Sequence, residues 1–246
     1  MSKKESILLV DIGNSNTVLA ELFDDKIGAE LVVKTALFST SWKSFDLEAF
    51  SRVIVSSVVP KVSDQLKDLT NVVFVTANNI PLISINMQSD SQIGADRLVN
   101  ACAAYHHYPH PTLIIDSGTA ITFCLIDEKG VYQGGAILPG MGISSKALED
   151  YTEKIPYIEV QKQNVLLGKS TKEAVEVGLY NGYIYMINGF IKSFKAMHKN
   201  LFVLGTGKGL DVFKESLDVD VFDDRLILKG LQVISSHLKK GVKNNV

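Results

Sequence analysis

The sequence predicts an α/β protein built from two related sheet-bearing units. Three observations carry that reading. Apolar runs of strand length alternate with segments of helical periodicity. The chain opens on Ile7-Leu-Leu-Val-Asp-Ile-Gly-Asn-Ser, and a near copy, Leu113-Ile-Ile-Asp-Ser-Gly-Thr-Ala, recurs beyond Pro109 and Pro111. Each copy is followed by a second strand, Thr17–Phe23 or Ile121–Ile126, that runs into an acidic turn, Asp24-Asp25 or Asp127-Glu128. A repeated supersecondary unit is the simplest account.

The elements follow in order. Strands are expected over Ser6–Val10, Thr17–Phe23 and Glu30–Thr35, with Asp24-Asp25-Lys26 and Gly28 supplying turn chemistry. Val53-Ile-Val-Ser-Ser reads as a further strand. Pro60 suits the first position of a helix reaching Leu69, and Val72–Val75 is another strand. A polar loop, Gln88–Gln92, precedes Gly94 and a helix whose apolar face is Leu98, Ala101, Cys102 and Tyr105. Pro109 and Pro111 end it, which places the domain boundary between residues 1–111 and 112–246. Beyond the second hairpin, Gly134–Gly140 is expected to be a glycine-rich loop, followed by a helix to about Lys154. Thr171 to about His198 is helical, with Gly189 a weak point where two helices could meet. Leu201–Leu204 reads as a strand entering Gly205-Thr-Gly-Lys-Gly209, and a last helix begins near Leu228.

Composition excludes several classes. The chain has 246 residues, 46% of them hydrophobic, enough for a substantial core. A net charge of -2 without a basic patch argues against nucleic acid as a partner. No apolar run reaches membrane length, and Lys239, Lys240 and Lys243 read as a solvated tail. Cys102 and Cys124 lack metal-like spacing and read as buried thiols, so a cytoplasmic location is expected.

The chemistry centres on the two repeated turns. Asp11 closes a buried strand, and Gly13 lets the backbone approach a ligand closely. Asn14, Ser15, Asn16 and Thr17 add amides, hydroxyls and N–H groups that can hold phosphate oxygens, while Asp11 can hold magnesium or its waters. Asp116, Gly118 and Thr119 repeat the device. A P-loop is absent: Gly205-Thr-Gly-Lys-Gly209 lacks the four-residue gap and the hydroxyl after lysine. Asp96, in Gly94-Ala-Asp-Arg97, sits at a helix start that favours its charged form, where it could accept a proton from a substrate hydroxyl. Arg97 beside it offers a rigid fork for carboxylate or phosphate. His106, His107 and His110 lack convergent partners and suit a helix C-terminus. Tyr180, Tyr183, Tyr185, Met186 and Phe190 form an aromatic-rich helical surface that fits core packing or a subunit interface.

In this order, Asp11-Ile-Gly-Asn-Ser-Asn-Thr17, Ser57-Val-Val-Pro60, Gly94-Ala-Asp-Arg97 and Asp116-Ser-Gly-Thr-Ala120 resemble the type III pantothenate kinase family. Gly134–Gly140, Gly168-Lys-Ser-Thr171, Gly178–Gly182 and Leu228-Lys-Gly-Leu231 continue the resemblance over nearly the whole chain. It implies two ribonuclease-H-like domains of the acetate/sugar kinase, Hsp70 and actin type, with an interdomain cleft. It implies ATP-dependent phosphorylation of pantothenate, and a homodimer whose second subunit helps form the pantothenate site. By the family pattern Asp11, Ile12, Gly13, Asn14, Ser15, Asn16, Thr17, Val18 and Thr119 bind ATP. Asp96 is the catalytic proton acceptor. Met87, Gly94, Ala95, Asp96, Arg97 and Thr171 line the pantothenate pocket, and Asp116 belongs to a monovalent-cation site for potassium or ammonium. Magnesium accompanies ATP. Two positions depart from the pattern: Met87 stands where the family commonly has tyrosine, and Lys208 follows Thr206-Gly207 where it usually has a second glycine. Another small-molecule kinase or phosphohydrolase on this fold, or a non-catalytic nucleotide-binding regulator, are the alternatives.

Overall fold

The computed structural model describes residues 6–89 and 93–241. Part of the polar loop before Gly94, and Lys243 with the side chains of Lys239 and Lys240, lie outside the described residues. The chain forms two compact units.

The first unit comprises residues 1–108, 130–132 and 225–246. Its sheet runs β3-β2-β1-β4-β5. The strands are β1 (Ile7–Ile12), β2 (Asn16–Phe23), β3 (Lys26–Lys34), β4 (Arg52–Ser57) and β5 (Val72–Phe74). β1 pairs antiparallel with β2 and parallel with β4, and the second pairing sets Asp11 beside Ser56. Because side chains alternate across a strand, β1 feeds two cores. Leu8, Val10 and Ile12 pack with Phe38, Leu47, Val62 and Leu66 from α1 (Thr35–Ser41), a short turn after it and α2 (Pro60–Leu66). Ile7 and Leu9 pack with Val99 and Cys102 of α3 (Ala95–His107) and with Leu228, Leu231 and Ile234 of α6 (Leu226–Gly241). Burial on both faces explains why β1 and β4 read as continuous apolar runs. Each buried Leu or Ile contributes about 1.5–3 kcal/mol of transfer free energy. A two-residue strand, β6 (Ser84–Ile85), pairs in parallel with Val131 and Tyr132.

The second unit comprises residues 109–129 and 133–224. Its strands are β7 (Thr112–Ser117), β8 (Ala120–Ile126), β9 (Val131–Pro139), β10 (Phe202–Thr206) and β11 (Val221–Phe222), in the order β11-β10-β7-β8-β9. β7 pairs antiparallel with β8 and parallel with β10. The first sheet has the same plan, a hairpin on one side of its opening strand and a parallel strand on the other. The repeat read from two Asp-x-Gly turns therefore extends to sheet topology. Helices α4 (Met141–Tyr151) and α5 (Thr171–Met197) complete the unit. The core joins Leu113, Ile115 and Phe123 to Tyr180, Tyr183, Ile187 and Ile191 of α5, with Phe190 stacked on Phe123 at 4.5 Å.

Two local expectations change. The stretch from Gly134 to Pro139 is not a loop but part of β9, where a Cβ at Gly135 would collide with the Phe123 backbone carbonyl. The glycine there answers a packing demand inside a sheet. Thr171–Met197 is one helix, unbroken at Gly189. Ser170 caps it by accepting the Glu173 N–H at 3.2 Å, and Glu173 accepts the Lys169 N–H at 2.7 Å. Burial of its apolar face outweighs the cost of its glycines, about 1 kcal/mol each. Cys102 and Cys124 are buried free thiols, and burial pushes the Cys102 thiol up to about 12. No described helix is long and apolar enough to cross a membrane.

Candidate active site

In the first unit, three element ends converge at Asp11. The Val58 N–H, just past β4, donates to the Ile12 carbonyl at 3.1 Å. Val58 also lies against Gly94, the residue that caps α3: a Cβ placed there would sit 3.3 Å from Val58 Cγ1 and 2.5 Å from Asp96 Oδ1. The helix start is thus pressed onto the strand ends, and Asp96 is folded back over Gly94. Its Oδ1 accepts the Arg97 N–H at 2.8 Å.

The turn after β1 is tightly specified. Gly13 N–H donates to the Asn16 carbonyl at 3.0 Å, and Thr35 Oγ1 donates to the Gly13 carbonyl at 2.6 Å. Thr17 is fully buried, with its hydroxyl 3.0 Å from that of Thr35. Thr17 and Ile12 therefore build the turn from inside, while Asn14, Ser15 and Asn16 are exposed and Val18 is partly buried. Thr35 and Ser56 are components that sequence reasoning missed. No local motif marks them, because their roles come from strand register.

Electrostatics single out the same place. Burial raises the Asp11 carboxyl from 3.8 to about 7; the Ser56 hydroxyl pulls the other way and the Asp96 charge adds to the rise. Burial also raises Asp96, against the lowering influence of the Arg97 N–H and guanidinium. The helix start favours the charged form of Asp96, and burial opposes it. Of the two, desolvation is larger. Two neighbouring carboxylates that both resist ionisation suit a hard divalent cation. Among the described residues no cluster of three or more His, Cys, Asp and Glu could cage one. That donor set fits magnesium, which keeps waters and shares substrate phosphates rather than occupying an all-protein cage.

The second unit gathers its own loops. Asp116 lies at the end of β7, partly buried, with Gly118 and Thr119 exposed beyond it. β10 places Thr206 beside Asp116. Gly207, with φ 85°, then turns the chain so closely that a Cβ would lie 2.6 Å from Asp116 Oδ1. A Cβ on Gly140 would lie 2.6 Å from the Gly118 carbonyl, so the start of α4 closes over the same turn. Thr171 opens α5. It lines an apolar hollow with Leu148, Ile155, Ala174, Val175 and Leu179, between α4 and α5.

Among the predicted residues, then, Asp11–Val18 and Gly94–Arg97 come together in the first unit, and Asp116 and Thr119 in the second. Met87 is exposed. His106 and His107 contact each other edge-on, and no metal-like cluster among the described residues includes them. Of the aromatic helix residues, Tyr180 and Tyr183 are core, Met186 and Phe190 pack against it, and Tyr185 is exposed.

The chain is similar in fold and in sequence to known proteins. A solved protein from Campylobacter jejuni, described as a conserved Baf family transcriptional activator, superposes with a TM-score of 0.67 at 22% identity, covering 95% of this chain and 99% of that one. MreB5 of Spiroplasma citri bound to AMPPNP superposes with a TM-score of 0.55 at 11% identity over 99% of this chain and 100% of its own. The fold is that of actin, Hsp70 and the sugar kinases. In sequence, the type III pantothenate kinase of Halalkalibacterium halodurans is 33% identical over 249 residues, 93% of this chain and 98% of its own length. That of Listeria monocytogenes is 33% identical over 252 residues, 93% and 96% respectively. The family model for type III pantothenate kinase matches residues 7–193, and with that match over most of its length the chain belongs to the type III pantothenate kinase family.

Proposed function

We propose that this protein transfers the γ-phosphoryl group of ATP to the primary hydroxyl of pantothenate, giving 4'-phosphopantothenate and ADP, the first step of coenzyme A synthesis. The observation that carries the mechanism is the pair of carboxylates, Asp11 and Asp96, held together with both pKa values raised. Asp96 orients the acceptor hydroxyl and takes its proton as the new O–P bond forms and the bond to ADP breaks. A carboxylate whose affinity for protons is raised by burial is a better acceptor than an exposed one. In the first unit the Asp11–Val18 turn offers ATP phosphates its N–H groups and hydroxyls, and in the second Thr119 offers its hydroxyl. Arg97 supplies fixed positive charge near the transferred group. Asp11 would hold magnesium, which would supply positive charge to the phosphate oxygens. Met87, Gly94, Ala95 and Arg97 are the pantothenate-binding residues of the first unit, and Thr171 is that of the second. Asp116 would hold a monovalent cation, potassium or ammonium.

The reading includes a homodimer, acting in the cytoplasm. Gly178, Gly182, Tyr185 and Gly189 fall on one face of α5 and are exposed; a Cβ at any of the three glycines meets nothing within 4 Å. Thr171 shares that face by helical spacing. A second copy of α5 packing there would complete the pocket at Thr171 and cover Tyr185, 62% exposed in the single chain. Light scattering tests this: a monomer at micromolar concentration removes the dimer from the reading.

Coupled ADP release, with pantothenate present or omitted and with sodium replacing potassium, tests the activity. Release that depends on pantothenate is expected. Release with other hydroxylated acceptors but not pantothenate selects a different kinase, and nucleotide binding without release selects a regulator.

A further inference from the structure

The Gly207-Lys208-Gly209 turn carries a lysine whose side chain holds no ion pair among the described residues. Gly207 is pressed against Asp116 and the Ser117 carbonyl, and Gly209 against the Ser117 side chain. The backbone on both sides of Lys208 is therefore fixed on the end of β7. Lys208 itself is exposed. Four other lysines of this unit do hold ion pairs: Lys146 with Glu149 and Asp150, Lys162 with Glu215, Lys195 with Asp218, and Lys214 with Asp211 and Asp224.

Placement gives the lysine a task. β7 and β10 are parallel, and both end at this cluster. Open α/β sheets bind ligands beyond the carboxyl ends of their strands. A nucleotide polyphosphate held at Thr119 would lie near this turn, where a further positive charge would attract it. A lysine side chain on the next-but-one residue after Thr206, the strand partner of Asp116, can reach that region.

We propose that Lys208 is a phosphate-binding residue, its ammonium holding the polyphosphate of the bound nucleotide beside the Asp116–Thr119 turn. This rests on the kinase reading above and adds a contact to it. The interaction is a point-charge contact with a mobile donor, so it belongs to the phosphates rather than to the base.

Calorimetric titration of wild type, Lys208→Ala and Lys208→Arg with ATP, ADP and adenosine tests it, at fixed potassium with NaCl varied. Lys208→Ala is expected to weaken ATP and ADP about tenfold, as loss of one charge-assisted contact does, and to leave adenosine within about twofold. Lys208→Arg should restore most of the loss. Wild-type affinity for ATP should fall more steeply with NaCl than that of Lys208→Ala. Equal weakening of adenosine would overturn the proposal, because the lysine would then pack on the nucleoside. Unchanged ATP affinity in Lys208→Ala overturns the lysine alone. A wild-type protein that binds neither ATP nor ADP overturns the kinase reading together with it.

Discussion

Asp11→Asn should make the ligand-free protein more stable while abolishing its activity. In the folded chain the Asp11 carboxyl titrates at about 7 rather than 3.8, so folding is harder with the group charged. At about 1.4 kcal/mol per pKa unit, the difference bounds the penalty at about 4 kcal/mol. The side chain is only partly shielded from solvent, which reduces the expected value to about 2 kcal/mol. The sign follows from proton binding. Between pH 4 and 7 the folded state holds a proton that the unfolded chain has released, so wild-type stability falls as pH rises through that window and levels off above it. Asparagine carries no such penalty at any pH. Urea denaturation at pH 4, 5.5, 7 and 8.5, without magnesium or nucleotide, should show the variant equal to wild type at the acid end. It should be about 2 kcal/mol more stable at the alkaline end. Asp96→Asn should move in the same direction, since burial raises that carboxyl too. A stability difference that does not grow with pH, or an Asp11→Asn protein less stable than wild type at pH 8.5, would refute the reasoning.

The remaining predictions concern turnover and local packing. Asp96→Asn should lower kcat about 10²- to 10⁴-fold, the usual contribution of a positioned base, with ATP affinity changed less than about twofold; an equal loss of affinity would remove the proton-acceptor role. Gly207→Ala combines φ 85° with overlap against Asp116 and Ser117, so it should cost about 2–3 kcal/mol in urea midpoints and weaken ADP in calorimetry. Ser170→Ala removes the cap of α5 and should cost about 1 kcal/mol, an effect that Ser170→Asp should largely avoid.

Much of this architecture was readable because apolar strands buried on both faces leave little ambiguity. β1 and β7 announced themselves, and each ended at an aspartate that the fold does place at a strand end. Asp96 and Arg97 were readable through the glycine that starts their helix. What escaped was anything set by register or by tertiary contact. Gly134 and Gly135 look like strand breakers, but the cause of Gly135 is a Phe123 carbonyl that no neighbouring residue reveals. Ser56 stands beside Asp11 only because β4 lies parallel to β1 in one alignment. The rise in the Asp96 pKa escaped for a related reason: the helix start is local, whereas burial is imposed by tertiary packing. Nor does any local signal say that α6 joins the first unit.

That last feature bears on synthesis. Leu228, Leu231 and Ile234 complete the core that Ile7, Leu9 and Val99 begin. A ribosome delivers β1 through α3 long before it delivers α6, so throughout the intervening elongation the nascent first unit carries an open apolar seam. The second unit, whose segments all lie between residues 109 and 224, can close on itself sooner. Translation thus reverses the order of the sheets: the earliest strands emerge first and finish last, and a chain stalled before Leu226 presents chaperones and proteases with an unfinished core.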